Sequence, residues 1–217
     1  MKYTMKSYPT RYGGVTFRSR LEARWAAMFD LLGWSWDYEP LDFNRWIPDF
    51  VIYGVNPVYV EVKPVIEFPQ DVAARIDKSG CPDEVVIVGM TCPLKLETPW
   101  WDAHCLGWLR EDRYGWWQPC PLGRWAASRG KIGFTHAMGS YHDRITGEYD
   151  GGHGADWVSE EELTMLWREA GNRTQWHRKP PEREPSPVEK YAQRLSEFFG
   201  GKVIIPFVDG DIDDDDF

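Results

Sequence analysis

Two short segments of this chain, Ile47-Pro-Asp-Phe-Val-Ile52 and Val58-Tyr-Val-Glu-Val-Lys63, leave little freedom in how they can pair. Both carry the alternation of strands, and Gly54-Val-Asn-Pro57 between them is turn material, so together they predict a hairpin. Phe50 and Ile52 share one face of the first strand; Val58, Val60 and Val62 share one face of the second. Pairing the two apolar sets forces Asp49, Glu61 and Lys63 onto the opposite face together. A two- or four-residue loop would instead set Phe50 against Glu61, so the pattern demands an odd loop or a bulge.

Acids that interrupt an otherwise apolar pattern tend to mark sites. Two carboxylates converging beside a main-chain carbonyl form an oxygen-rich pocket suited to Mg2+, with Mn2+ as its substitute. Lys63 is then placed to hold or deprotonate an attacking water and to offset charge on a phosphate. A Glu61–Lys63 pair on the wet face of a hairpin is the plainer reading of those two residues alone. Asp49 directly after a proline, and Glu22 upstream, shift the balance toward a site. Glu22 has two readings of its own: Ser19-x-x-Glu22 fits a capping box, and the same carboxylate at the edge of the helix stripe can point toward the hairpin. That helix is expected from about Thr16 or Ser19 to Leu32, with Phe17, Leu21, Trp25, Met28, Phe29 and Leu32 as its apolar stripe.

Glu22, Pro48-Asp49 and Glu61-Val62-Lys63, in helix-strand-strand order, resemble the PD-(D/E)XK nuclease superfamily over about residues 11–90. The resemblance implies a restriction-endonuclease-like fold and metal-dependent hydrolysis of DNA that leaves a 5′-phosphate. It makes Asp49, Glu61 and the Val62 carbonyl metal ligands, adds Glu22 directly or through water, and gives Lys63 the nucleophile. These four side chains, Asp49, Glu61, Lys63 and Glu22, are the implied catalytic set.

The elements around the motif agree with an α+β (α/β) fold, a mixed sheet with helices packed on it. Gly13-Gly14 turns the chain before the first helix, Gly33 ends it, and Trp34 to Glu39 alternates as a strand. Phe68 to Ser79 has helical spacing, and Glu84 to Met90 contains the run of a buried strand. The order expected over residues 1–93 is α-β-β-β-α-β.

The net charge of −9 looks wrong for a DNA enzyme, but residues 209–217 alone hold six aspartates. The first 24 residues carry Lys2, Lys6, Arg11, Arg18, Arg20 and Arg24 against Glu22 only, beside the expected site, where a phosphate backbone would pass. Arg11, Arg18 and Arg20, with Gln70, Arg75 and Lys78 of the second helix, are the candidate DNA contacts; for Arg20, Arg24 and the second-helix residues a solvated surface is the alternative. Cys81, Cys92, Cys105 and Cys120 lack a C-x-x-C spacing and read as reduced core residues. No apolar run approaches the ~18 residues of a membrane span and no signal-peptide core is visible, which predicts a soluble protein of the bacterial cytoplasm, of phage or mobile-element origin.

Residues 94–177 are rich in Trp, Gly and His with few clean periods. Their tryptophans are read as the core of an irregular subdomain, with base stacking as the alternative. His136, His142 and His153 lack zinc-ribbon spacing, so no structural zinc is expected. Ser159-Glu-Glu-Glu-Leu163 starts a helix facing Leu163, Leu166 and Trp167 inward, and the core is expected to end near Gln175. Residues 178–208 form a Pro-rich linker and a short amphipathic helix from Val188 to Phe199. The tail 209–217 is too acidic to fold alone, and its Asp215-Asp216-Phe217 end resembles the tips of single-stranded-DNA-binding proteins that dock on replication and repair partners.

A Mg2+-dependent DNA endonuclease is the leading reading. A non-catalytic nucleic-acid-binding or recombination adaptor, and an inhibitor mimicking DNA through the acidic tail, are the alternatives.

Overall fold

Helix α1 (Arg20–Leu32) forms where the sequence supplies both of its ends. In the computed structural model, which describes residues 8–97, 102–111, 115–126, 130–136, 142–149 and 155–175, Ser19 is its N-cap and accepts from the Glu22 amide. At the other end Gly33 takes φ 73°, a left-handed conformation that suits glycine. The Gly33 and Trp34 amides bond to the Asp30 and Phe29 carbonyls, and the Trp34 and Phe29 rings stack 5.9 Å apart. This is a Schellman stop with its hydrophobic contact. Of the expected stripe, Trp25, Met28, Phe29 and Leu32 are buried on the helix, each contributing roughly 1.5–3 kcal/mol; Leu21 is half-buried, and Phe17 is buried on the strand that precedes the helix rather than on it.

Before the helix, β1 (Thr10–Tyr12) and β2 (Val15–Phe17) pair across Gly13 and Gly14, both at positive φ. The main sheet then runs through β3 (Ser35–Tyr38), β4 (Phe50–Tyr53), β5 (Pro57–Val62), α2 (Gln70–Asp77) and β6 (Glu84–Val88). It continues with β7 (Leu94–Glu97), β8 (Asp102–Arg110), β9 (Trp117–Arg124), β10 (Ile132–Phe134) and β11 (Asp156–Trp157), and the described chain closes with α3 (Glu160–Arg173). The spatial order is β10-β9-β8-β6-β5-β4-β3, with β7 on β8 and β11 on β9. Among the described residues only β5 and β6 pair in parallel, through the α2 crossover, so the described fold is a mixed α+β sheet flanked by three helices. The described residues, through Gln175, belong to one compact unit. The linker, the Val188 to Phe199 segment and the tail lie outside the described residues.

The hairpin register is the one the apolar pattern requires. Phe50 faces Val60, Ile52 faces Val58, and Tyr53 faces Pro57, leaving a three-residue loop, 54–56. Phe50, Ile52, Val58, Val60 and Val62 join the core that α1 and α3 cover. Val51, Tyr59, Val85 and Ile87 turn the other way, toward α2 and its Val72, Ala73 and Ile76. The face that carries the acids is therefore roofed by α2.

The described residues of 94–157 depart from the irregular region expected there. β8 is a nine-residue strand paired to β6, β7 and β9, and the sheet runs unbroken across residue 93. Its residues Cys105 to Arg110 are buried without interruption, so no period of two marks the strand. Trp108 and Trp125 are core residues, whereas Trp116 is 69% exposed. The four cysteines are all buried and form no disulfide. Burial pushes the thiol of Cys105 up to about 12 and raises those of Cys92 and Cys120 as well. α2 is shorter than the expected 68–79, because Pro69 is its N-cap and offers no side-chain bond. Ser159 caps α3 through the Glu162 amide, and Leu163 and Trp167 are buried as the spacing indicated. No helix among the described residues is long and apolar enough to cross a membrane.

Candidate functional site

The site is built where the hairpin ladder runs out. Continuing the register beyond Phe50–Val60 would set Asp49 opposite Glu61 and Pro48 opposite Val62. The Lys63 amide turns toward β6, bonding to Val88 O, so the Val62 amide and carbonyl point toward the end of β4. Pro48 has no N–H to give the Val62 carbonyl. That oxygen accepts instead from Lys63 Nζ at 3.0 Å, while the Val62 N–H donates to Asp49 Oδ2 at 2.7 Å. The Pro48-Asp49 pair thus exchanges one ladder step for a carboxylate and an unladdered carbonyl.

Asp49 and Glu61 are 5% and 3% exposed, and both turn oxygens to one ammonium. Lys63 Nζ lies 2.6 Å from Glu61 Oε1 and 3.9 Å from Asp49 Oδ2. The expected ligands Asp49, Glu61 and Val62 O therefore all border the Lys63 ammonium, which stands where a cation would be held. Burial and the neighbouring Glu61 charge raise the Asp49 carboxyl to about 7, against the lowering by Lys63 and the Val62 N–H; Glu22 adds to the rise. Two hard, mutually repelling carboxylate oxygens and a carbonyl suit a divalent cation with water in its remaining positions. Among the described residues no three His, Cys, Asp or Glu side chains gather as a metal site, so the donor set here is two side chains and a main-chain oxygen.

Glu22 does cap α1. Its Oε1 accepts from Ser19 Oγ at 2.6 Å, and its Oε2 accepts from the Arg18 amide at 3.2 Å and from Tyr38 O–H at 2.6 Å. Desolvation and this bond to Glu22 push the Tyr38 phenol up to about 12.

The candidate DNA contacts divide. Arg18 donates to Asp49 Oδ1 at 3.1 Å and pairs with Glu39; Arg75 donates to Glu61 Oε1 at 3.0 Å. These two guanidiniums, each more than half exposed, reach the carboxylates from the turn before α1 and from α2 respectively. Arg11, Arg20, Gln70 and Lys78 are exposed and touch neither acid. Arg24 is neither solvated nor at the site: its guanidinium lies 4.0 Å over the Trp167 ring and donates twice to Trp167 O. Asp215, Asp216 and Phe217 lie outside the described residues, as do Lys2, Lys6 and His153. His136 is bonded to Glu111 at 2.8 Å and His142 stacks on Tyr149.

Sequence reading missed Trp46. It is buried, and its Nε1 donates to Glu61 Oε2 at 2.8 Å, so both oxygens of that carboxylate are held. Its place in the turn Phe43-Asn-Arg-Trp46, three residues before Asp49, was the available signal.

No protein-family profile, curated protein or solved structure matches the chain.

Proposed function

We propose that the chain is a metal-dependent endonuclease of PD-(D/E)XK type that hydrolyses DNA phosphodiester bonds. One observation carries this reading: two buried carboxylates and an unladdered carbonyl gather on a single lysine, between two partly exposed arginines. Asp49, Glu61 and Val62 O would hold a magnesium or manganese ion, which supplies Lewis-acid stabilisation of phosphoryl charge. Lys63 orients the attacking water and balances the charge that builds on the phosphate. Arg18 and Arg75 hold the phosphates that flank the cut. Water adds to phosphorus, the bond to the 3′ oxygen breaks, and the products are a 5′-phosphate and a 3′-hydroxyl that takes up the proton.

The test is cleavage of a panel of duplex, branched and single-stranded DNAs with magnesium and with chelator. Asp49→Ala, Glu61→Ala and Lys63→Ala are each expected to slow cleavage by roughly 10²–10³-fold while remaining folded. A near-wild-type rate in Asp49→Ala would end the assignment.

A further inference from the structure

Beside Glu61, on the α2 side, lies a cleft of about 400 Å³ lined by Asn44, Arg45, Trp46, Asp71, Arg75 and Lys78. Its inner wall is already joined to the site: Trp46 and Arg75 bond to the two oxygens of Glu61. Three cations and one carboxylate, Asp71, line it. Arg75 is committed to Glu61, but Arg45 and Lys78 are exposed, and among the described residues their side chains have no hydrogen-bond or ion-pair partner.

Arg45 stands at a position where the fold alone would favour another residue. Phe43 and Trp46 exchange both main-chain bonds, at 2.7 and 2.9 Å, closing a two-residue turn. Its central residues, Asn44 and Arg45, have φ 45° and 75°. That combination of positive φ favours Asn followed by Gly. Asn44 conforms, whereas Arg45 holds a long cationic side chain on left-handed backbone at the cleft, a kind of outlier that clusters at functional sites.

We propose that this cleft binds the phosphodiester backbone of the substrate on one side of the cut, with Arg45 and Lys78 as its phosphate contacts. The inference rests on the hydrolase reading for its substrate class. Arg75 would mark the boundary between cleft and reacting phosphate, and the backbone would run outward from Glu61 between the Phe43–Trp46 turn and α2.

The experiment is binding of a fluorescein-labelled DNA oligonucleotide to the full chain, by anisotropy across a salt series with calcium in place of magnesium. The variants are Arg45→Gly, Lys78→Ala and the two combined. Arg168→Ala, an exposed change on α3 across the sheet, is the charge control. Each cleft variant is expected to weaken binding, and the pair to reduce the slope of log affinity against log salt by about 2. Arg45→Gly should not lower the melting temperature, because glycine suits that turn, so its loss of affinity separates a phosphate contact from a structural role. If the pair does not fold, Lys78→Ala alone should reduce the slope by about 1. Cleft variants that bind no more weakly than Arg168→Ala overturn the inference even if the wild type cleaves DNA. If the wild type binds but never cleaves, and the cleft variants bind more weakly, the cleft stands and the hydrolase reading fails.

Discussion

Trp46 and Glu61 show how a single contact orders the site. The buried indole N–H holds Glu61 Oε2, leaving Oε1 to Lys63 and Arg75. Groups that orient a metal-binding carboxylate typically affect metal affinity by 10–100-fold. Trp46→Phe keeps an aromatic ring in the core and removes the donor. It is expected to raise the magnesium concentration for half-maximal cleavage by about tenfold or more, with the rate at saturating metal less affected. An unchanged magnesium titration in a folded variant would show that Trp46 only packs. Glu22 is the contrasting case: its cap is visible in the Ser19-x-x-Glu22 spacing, its bond to Tyr38, 16 residues on, is not, and its effect on Asp49 is one of charge.

Among the elements, α1 does two jobs that one side chain links. At its start Arg18 reaches Asp49 while Ser19 and Glu22 close the cap, and along its length it meets α3 through the buried Trp25, 4.7 Å from the Trp167 ring, and Arg24. Gly171 belongs to this contact: a Cβ there would lie 3.1 Å from the Arg24 guanidinium. Arg24→Ala removes two charge-assisted bonds and a cation–π contact, and is expected to lower stability by about 2 kcal/mol. Urea unfolding monitored by tryptophan fluorescence measures it. Arg24→Lys should recover part of the loss, since lysine keeps the charge but not the planar fork. A loss below about 0.5 kcal/mol for Arg24→Ala would mean that α1 and α3 are held by their apolar contacts alone.

For the molecule as a whole, pH and salt should act through different groups. The Asp49 carboxyl rises from 3.8 to about 7 on folding, so the folded state holds an extra proton between those values. Its contribution to stability is therefore full below about pH 4 and is lost as pH rises toward 7. In chelator, the melting temperature of Asp49→Asn should fall less than that of the wild type over this range. Magnesium should stabilise the wild type more at pH 8 than at pH 6, because it competes with that proton, and should do little for Asp49→Asn. Equal magnesium shifts at both pH values would count against Asp49 as a ligand. The six aspartates of 209–217 pose a separate question. If they compete with DNA phosphates, deleting them tightens DNA binding most at low salt; if the tail docks a partner, removing Phe217 abolishes capture of a replication or repair protein and leaves DNA affinity unchanged. DNA titrations of both truncations, alongside pull-downs, separate the two outcomes.

The hairpin and its acids were legible because alternation is a local property. Once Phe50 and Ile52 had to meet Val58 and Val60, Asp49 and Glu61 had no other face to occupy, and the odd loop followed. The caps of α1 and α3 were legible for the same reason, since Ser19 with Glu22 and Ser159 with Glu162 act within one turn. Contacts between distant segments were not. Arg24 reads as a surface cation until α3, 143 residues on, supplies the Trp167 carbonyl. Trp46 reads as one more aromatic until its turn folds its indole onto Glu61. β8 carries no alternation because sheet neighbours and both covering layers bury all of Cys105 to Arg110. Local pattern decided which residues share a face; only the packing of α2, α3 and the Phe43–Trp46 turn around the sheet decided what meets them there, because those partners are chosen by burial across the fold and leave no period in the chain.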